Sequence, residues 1–248
     1  MILTITQQKG GTGKTTTAHA IAAGLSQRKG NKTLLIDLDP QGNLTYTLNA
    51  DTTKPGTLEL LTRQATAAEV IQHTPAGDII TGGQMLATID QLLTQTGKEH
   101  RLSEQLKPIQ GEYTHIIIDT PPALGTLTIN ALTAADSVII PCTADAYSLQ
   151  ATGQIADTIN TVKQYCNPRL QIAGILITRY NPRQVITRDI TELLEQAAAA
   201  LNTKVFKTRI REAVAIREAE ASQQDIFSYS PKSNATLDYK NLIKELSK

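Results

Sequence analysis

Five short runs of nearly unbroken aliphatic side chains punctuate the chain: Ile2 to Thr6, Thr33 to Asp37, Ile116 to Asp119, Ser137 to Pro141 and Ile172 to Thr178. Apolar runs of this length predict strands buried on both faces, as in a parallel sheet. Between them the period changes. Ala18, Ile21, Ala22 and Leu25 recur at i, i+3, i+4 and i+7, and Ile186, Ile190, Leu193, Leu194 and Ala197 repeat that spacing, which predicts helices laid on the sheet. The alternation of strand and helix predicts the α/β class: a single doubly wound, mainly parallel sheet with helices on both faces. From about Asp51 to Gln110 the periodicity weakens, Thr and Gln are frequent, and a glycine pair stands at Gly82 and Gly83. A helical insertion with one short strand near Asp78 to Thr81 is expected there. No repeat, low-complexity tail or Gly/Ser linker interrupts residues 1–248, so one domain is expected.

Composition refines this outline. Hydrophobic residues make up 40% of the chain, but aromatic residues only 4%, with no tryptophan, so aliphatic side chains and alanine must fill the core. The net charge of +1 is no global signature of a nucleic-acid binder, and any such contact would need a local patch. The two cysteines, Cys142 and Cys166, form neither a CxxC pair nor a disulfide framework, which suits a reducing compartment. Residues 1–6 run directly into a glycine-rich loop, without the regions of a signal peptide, and no apolar run approaches the ~20 residues that span a bilayer. A cytoplasmic location is expected.

The candidate chemistry begins where the first strand meets the first helix, at Gln8-Lys9-Gly10-Gly11-Thr12-Gly13-Lys14-Thr15-Thr16. Glycines let the backbone curl until several N–H groups point at one anion, and the helix N-terminus adds its positive dipole end. Lys14 is expected to reach the β- and γ-phosphates, Thr15 to offer its hydroxyl to Mg²⁺, and Thr16 to donate to the α-phosphate. Gln8 replaces the first glycine of the plain GxxxxGK[ST] pattern, and an additional lysine, Lys9, precedes Gly10. This KGGxGKT form resembles the deviant Walker A motif of the ParA/MinD/nitrogenase-iron-protein group. The resemblance implies that Lys9 crosses a dimer interface to the partner's nucleotide.

Two strand ends carry carboxylates. Alternation along the second strand puts Asp37 and Asp39 on one side, at the carboxyl edge where open α/β sheets bind ligands. In the resembled group the DxDPQGN segment is a nucleotide motif whose later aspartate, here Asp39, orients or activates the attacking water. Asp37 would act on Mg²⁺ through water or hold the loop. The run Ile116-Ile117-Ile118-Asp119 has the Walker B form, with Asp119 holding Mg²⁺ through a coordinated water. Thr120-Pro121-Pro122-Ala123 resembles the group's switch segment.

With these motifs in register, the chain resembles ParA/Soj-type partition ATPases over nearly its whole length. The resemblance implies MgATP as cofactor, slow partner-stimulated hydrolysis, an ATP-bound homodimer, nonspecific binding of double-stranded DNA, a ParB-like centromere-binding partner and a place on the nucleoid. It also implies that Arg179, Ile210 and Arg211 border the adenine. Basic candidates for DNA are Arg183, Arg188, Arg209, Arg217 and Lys240, with Arg211 and Lys244 beside them. The family's PRNVRLSEAP segment reads REAVAIREAE here, and the arginine linked to DNA in some relatives aligns with Ala215.

A MinD-like membrane-cycling ATPase is the alternative, since Tyr239, Leu242, Ile243 and Leu246 share a helical stripe near the C-terminus. An iron–sulfur carrier would need thiolates bridging a cluster at a dimer axis, and neither cysteine is placed for that.

Overall fold

The structure, a computed structural model, describes residues 1–181 and 185–247. Strands β1 (Ile2–Ile5), β2 (Thr33–Asp37), β3 (Ile71–Thr74), β4 (Gly77–Ile80), β5 (His115–Asp119), β6 (Ser137–Thr143) and β7 (Gln171–Thr178) form a seven-stranded sheet in the order β3-β4-β2-β5-β1-β6-β7. All neighbours run parallel except β3 and β4, which form an antiparallel hairpin at one edge. Helix α1 (Lys14–Ser26) follows β1. Short helices α2 (Asn43–Thr47), α3 (Thr57–Thr62), α4 (Ala67–Val70), α5 (Ile89–Leu92) and α6 (Arg101–Leu106) lie between β2 and β5. Then come α7 (Thr126–Ala134), α8 (Ala146–Tyr165), α9 (Val185–Ala200), α10 (Val214–Ala221), α11 (Ile226–Tyr229) and α12 (Asn234–Leu246).

Alternation within the strands explains the two cores. Leu34 and Ile36 of β2, Ile116 and Ile118 of β5, and Val138 and Ile140 of β6 face one side, with Ala131 and Leu132 of α7, Ile155 and Ile159 of α8 and Leu194 of α9. Leu3, Ile5, Leu35, Ile117, Ile139 and Leu176 face the other, against Ala18, Ile21, Ala22 and Leu25 of α1 and Tyr239, Leu242 and Ile243 of α12. Aliphatic residues dominate both layers.

The segment 51–110 differs from the expected insertion. It contributes two strands rather than one, and Leu60, Leu61, Ile80, Leu86, Leu102 and Leu106 belong to the main core. Strand β3 reads Ile-Gln-His-Thr because it is an edge strand with partly exposed faces, so it lacks the aliphatic run of its buried neighbours. Its helices span only four to six residues, too short for a 3.6-residue period to register.

The apolar stripe of α12 is turned inward. Tyr239, Leu242 and Ile243 are buried and Lys240 and Lys244 exposed, so the stripe packs on α1 rather than being offered to a membrane. Among the described residues no helix is long and apolar enough to cross a membrane.

Candidate functional site

At the carboxyl edge of the sheet a cleft of about 620 Å³ opens over the loop between β1 and α1. Gly11 and Gly13 take left-handed backbone, φ 72° and 79°, which a side chain would strain. Gly13 thereby caps α1, and the helix's first internal bond runs from the Thr17 N–H to the Gly13 carbonyl. The preceding N–H groups have no partner within the helix and form the positive end of its dipole. Gly10, Gly11, Gly13, Lys14, Thr15 and Thr16 line the cleft. Thr12 does not: it is buried, its hydroxyl donating to the Lys9 carbonyl and its own carbonyl accepting the Thr178 hydroxyl at 2.8 Å.

The loop's two lysines point to different places. Lys14 is only 7% exposed and lies along the cleft. Burial pushes its ammonium below the ordinary lysine range, opposed by Asp119 and Asp39. Lys9 turns away from this cleft and meets the head of α8, where its Nζ lies 2.5 Å from Asp145 Oδ2, 3.2 Å from Thr143 Oγ1 and 3.3 Å from Ser148 Oγ. Asp145 also caps α8 by accepting the Ser148 N–H at 2.9 Å. Burial works against its charge, but bonds from Lys9, Thr143 and Ser148 hold the carboxyl down at about 2. Beside it Tyr147 is 77% exposed.

The carboxylates divide into two roles. Asp119 is fully buried; its Oδ2 accepts the Thr15 hydroxyl at 2.6 Å, and its Oδ1 has no partner among the described residues. Burial, and then the charge of Asp37, push its carboxyl well above the usual range. A buried carboxylate oxygen without a partner, next to a threonine hydroxyl on a phosphate-type loop, fits a hydrated Mg²⁺. Asp39, 7% exposed, lines the cleft and accepts the Gln41 N–H at 2.9 Å.

Asp37 departs from the expectation that both acids of β2 face the phosphates. It sits beneath the cleft, its Oδ1 accepting the Asp39 N–H at 3.0 Å and its Oδ2 accepting the Thr45 N–H and hydroxyl at 2.9 and 2.8 Å. The strand ends at Asp37, so alternation no longer governs Asp39. Of the two roles open to Asp37, the structure shows the holding of the loop. Burial raises its carboxyl to about 6.

The first glycine of the pair, Gly82, gains its reason here. A Cβ on Gly82 would stand 2.8 Å from Asp37 Cγ and 2.9 Å from its carbonyl oxygen. Gly82→Ala is therefore expected to lower stability by about 1–3 kcal/mol through overpacking. A denaturant midpoint unchanged from wild type would refute that close approach.

Arg179, Ile210 and Arg211 line the far wall, where the base was expected. Arg179 adopts a left-handed backbone, φ 49°. The Arg211 guanidinium is taken by Asp238, at 2.6 and 2.9 Å, so its side chain is committed to α12. Of the DNA candidates, Arg209 stacks on Tyr180 at 4.9 Å and donates to its hydroxyl. Arg217 lines the nucleotide cleft rather than a separate basic face, and Lys240 is exposed on α12. Arg183 and the side chain of Arg188 lie outside the described residues.

Sequence reasoning missed Tyr46, Gln41 and Glu220, which also line the cleft. Glu220 accepts a short hydrogen bond from the Thr16 hydroxyl. Nothing in the sequence pointed toward it, because Thr16 and Glu220 stand 204 residues apart. The cysteines offer no cluster site: Cys142 is buried in the core, and burial pushes its thiol up to about 11.

Residues 1–172 match the family described as AAA domain, and residues 126–248 match 4Fe-4S iron sulfur cluster binding proteins, NifH/frxC family. The chain is 37% identical over 259 residues to the chromosome partitioning protein ParA of Myxococcus xanthus, covering 100% of this chain and 88% of that one. It is 36% identical to the sporulation initiation inhibitor protein Soj of Bacillus subtilis, covering 99% and 98%. Among solved structures, a cobyrinic acid a,c-diamide synthase from Mycobacterium smegmatis with bound ATP analog and magnesium superposes with a TM-score of 0.84 at 31% identity, covering 98% and 92%. That protein carries the name of another activity.

Proposed function

The chain belongs to the ParA/Soj family of P-loop partition ATPases, and from that premise we propose that it binds MgATP in the cleft over the β1–α1 loop and hydrolyses it slowly as a molecular switch. Lys14 holds the β- and γ-phosphates, Thr15 and Asp119 hold Mg²⁺, and Asp39 positions the attacking water. The metal supplies charge neutralisation on the phosphates; the chain supplies positioning, which is most of what phosphoryl transfer requires. ATP closes two subunits face to face, the pair binds DNA nonspecifically, and a ParB-like partner stimulates hydrolysis and release.

The observation that carries this reading is the divergence of the two loop lysines. Lys14 lines its own cleft, whereas Lys9 stands outside it, paired with Asp145 at the head of α8, the helix whose first turn carries the exposed Tyr147 and where a second subunit can approach. Lys9→Ala should therefore retain nucleotide binding and lose the ATP-dependent dimer. Light scattering with and without ATP measures this, and a variant that still pairs would refute the trans role. DNA binding that depends on ATP and weakens steeply across a salt series, with no transfer to anionic vesicles, is expected of phosphate-backbone contact. Binding to vesicles instead of DNA would favour the membrane-cycling alternative, against which the inward face of α12 argues.

A further inference from the structure

Helix α10 is a lightly anchored wall of the cleft. Of its eight residues only Ala219 is fully buried, its N-cap residue Ala213 makes no side-chain capping bond, and Gln223 just beyond its end takes φ 53°. Elements held by few buried contacts open at low free energy. Ile216, Arg217 and Glu220 of this helix nevertheless line the cleft, and Glu220 Oε1 accepts the Thr16 hydroxyl.

That bond competes with the nucleotide. A threonine hydroxyl has one proton to donate, and Thr16, in the first turn of α1 and lining the cleft, is the residue expected to donate to an α-phosphate oxygen. The carboxylate thereby stands beside the first turn of α1, whose positive end attracts a ligand anion. An internal anion thus holds a donor that a phosphate needs.

We propose that Glu220 is a placeholder for the nucleotide's α-phosphate: its carboxylate takes the Thr16 hydroxyl, and a nucleotide that claims this donor displaces it and frees α10. The inference rests on the nucleotide reading given above and adds to it a residue that lowers affinity and couples occupancy to movement of one helix. ATP and ADP are affected alike, since both carry an α-phosphate. Displacing Glu220 costs binding free energy, so removing its charge tightens binding.

Calorimetric titration of the full chain with MgATP and MgADP tests this. Glu220→Gln, which keeps the side chain's shape, is expected to bind both about tenfold more tightly, a change of roughly 1.4 kcal/mol. That gain should shrink by half or more when Thr16→Val is combined with it, because the two residues act as one unit. Hydrogen exchange in residues 214–221 should accelerate when nucleotide binds to wild type, and be fast already in nucleotide-free Glu220→Gln. If the glutamine variant melts early, Glu220→Ala provides the same readouts.

Unchanged affinity overturns the proposal, and so does a gain that persists undiminished without the Thr16 hydroxyl. Weaker binding with lost discrimination between ATP and deoxy-ATP overturns it too, making Glu220 a ribose ligand. A wild-type chain that binds no nucleotide overturns the function itself, whereas wild-type binding with a silent Glu220→Gln overturns only this inference.

Discussion

Lys14→Ala is expected to abolish ATP binding. The lysine is buried along the cleft, where burial disfavours its charge and an arriving anion would restore it. Hydrogen bonds between charged groups contribute about 1.5–3 kcal/mol each, and contact with two phosphates therefore amounts to roughly 3–6 kcal/mol. Each 1.4 kcal/mol is about a factor of ten, so affinity should fall by about 10²- to 10⁴-fold. The loss is deepened because Asp39 and Asp119, which now face Lys14, would be left opposite the triphosphate. Calorimetric titration measures it. Micromolar affinity in the variant would defeat the assignment of the loop.

Asp39→Ala should show the opposite separation, with ATP still bound and turnover reduced by about 10²- to 10⁴-fold, the usual range for a positioned acid–base group. Asp39 lines the cleft, and among the described contacts its Oδ1 accepts only the Gln41 N–H, so it lies where a water can reach it. Asp39→Asn keeps that backbone bond in shape but cannot take a proton, and should be comparably slow. Phosphate release under saturating MgATP reads both variants. Normal turnover in either removes Asp39 from the reaction. Substituting Asp37 should act differently, by loosening the Asp39 and Thr45 backbone it holds, and so appear first in stability.

The parts of the fold legible in the sequence were those with a single physical cause. Thr33 to Asp37 is aliphatic because both of its faces are covered, and it is observed as β2 with the expected bounds. Strand β3 was not legible, since Gln72, His73 and Thr74 lie at an edge where water and core both have a claim. At the site, the glycine–lysine loop announced itself because few other sequences curl a backbone around an anion. The split between Asp37 and Asp39 did not, because it depends on where the strand stops and on Thr45, eight residues later. Glu220 was silent for a similar reason: its partner Thr16 lies at the other end of the chain. The basic residues were the least readable, as Arg209, Arg211 and Arg217 turn to Tyr180, Asp238 and the cleft respectively, and spacing along a chain records none of this.

The order of the strands has a consequence for how the protein comes into being. Strand β1 comes before the other strands of the sheet in sequence and lies between β5 and β6, with Ile2 beside Ile116 and Leu3 beside Ser137. While the chain is being synthesised, the anion-binding loop therefore emerges on a strand whose first neighbour, His115–Asp119, is made only much later. Nucleotide cannot assist the earliest steps of folding, and closure over such distances makes those steps slow. A fragment stopping short of Ser137 would leave β1 with an open side, prone to pair with another chain rather than to hold ATP.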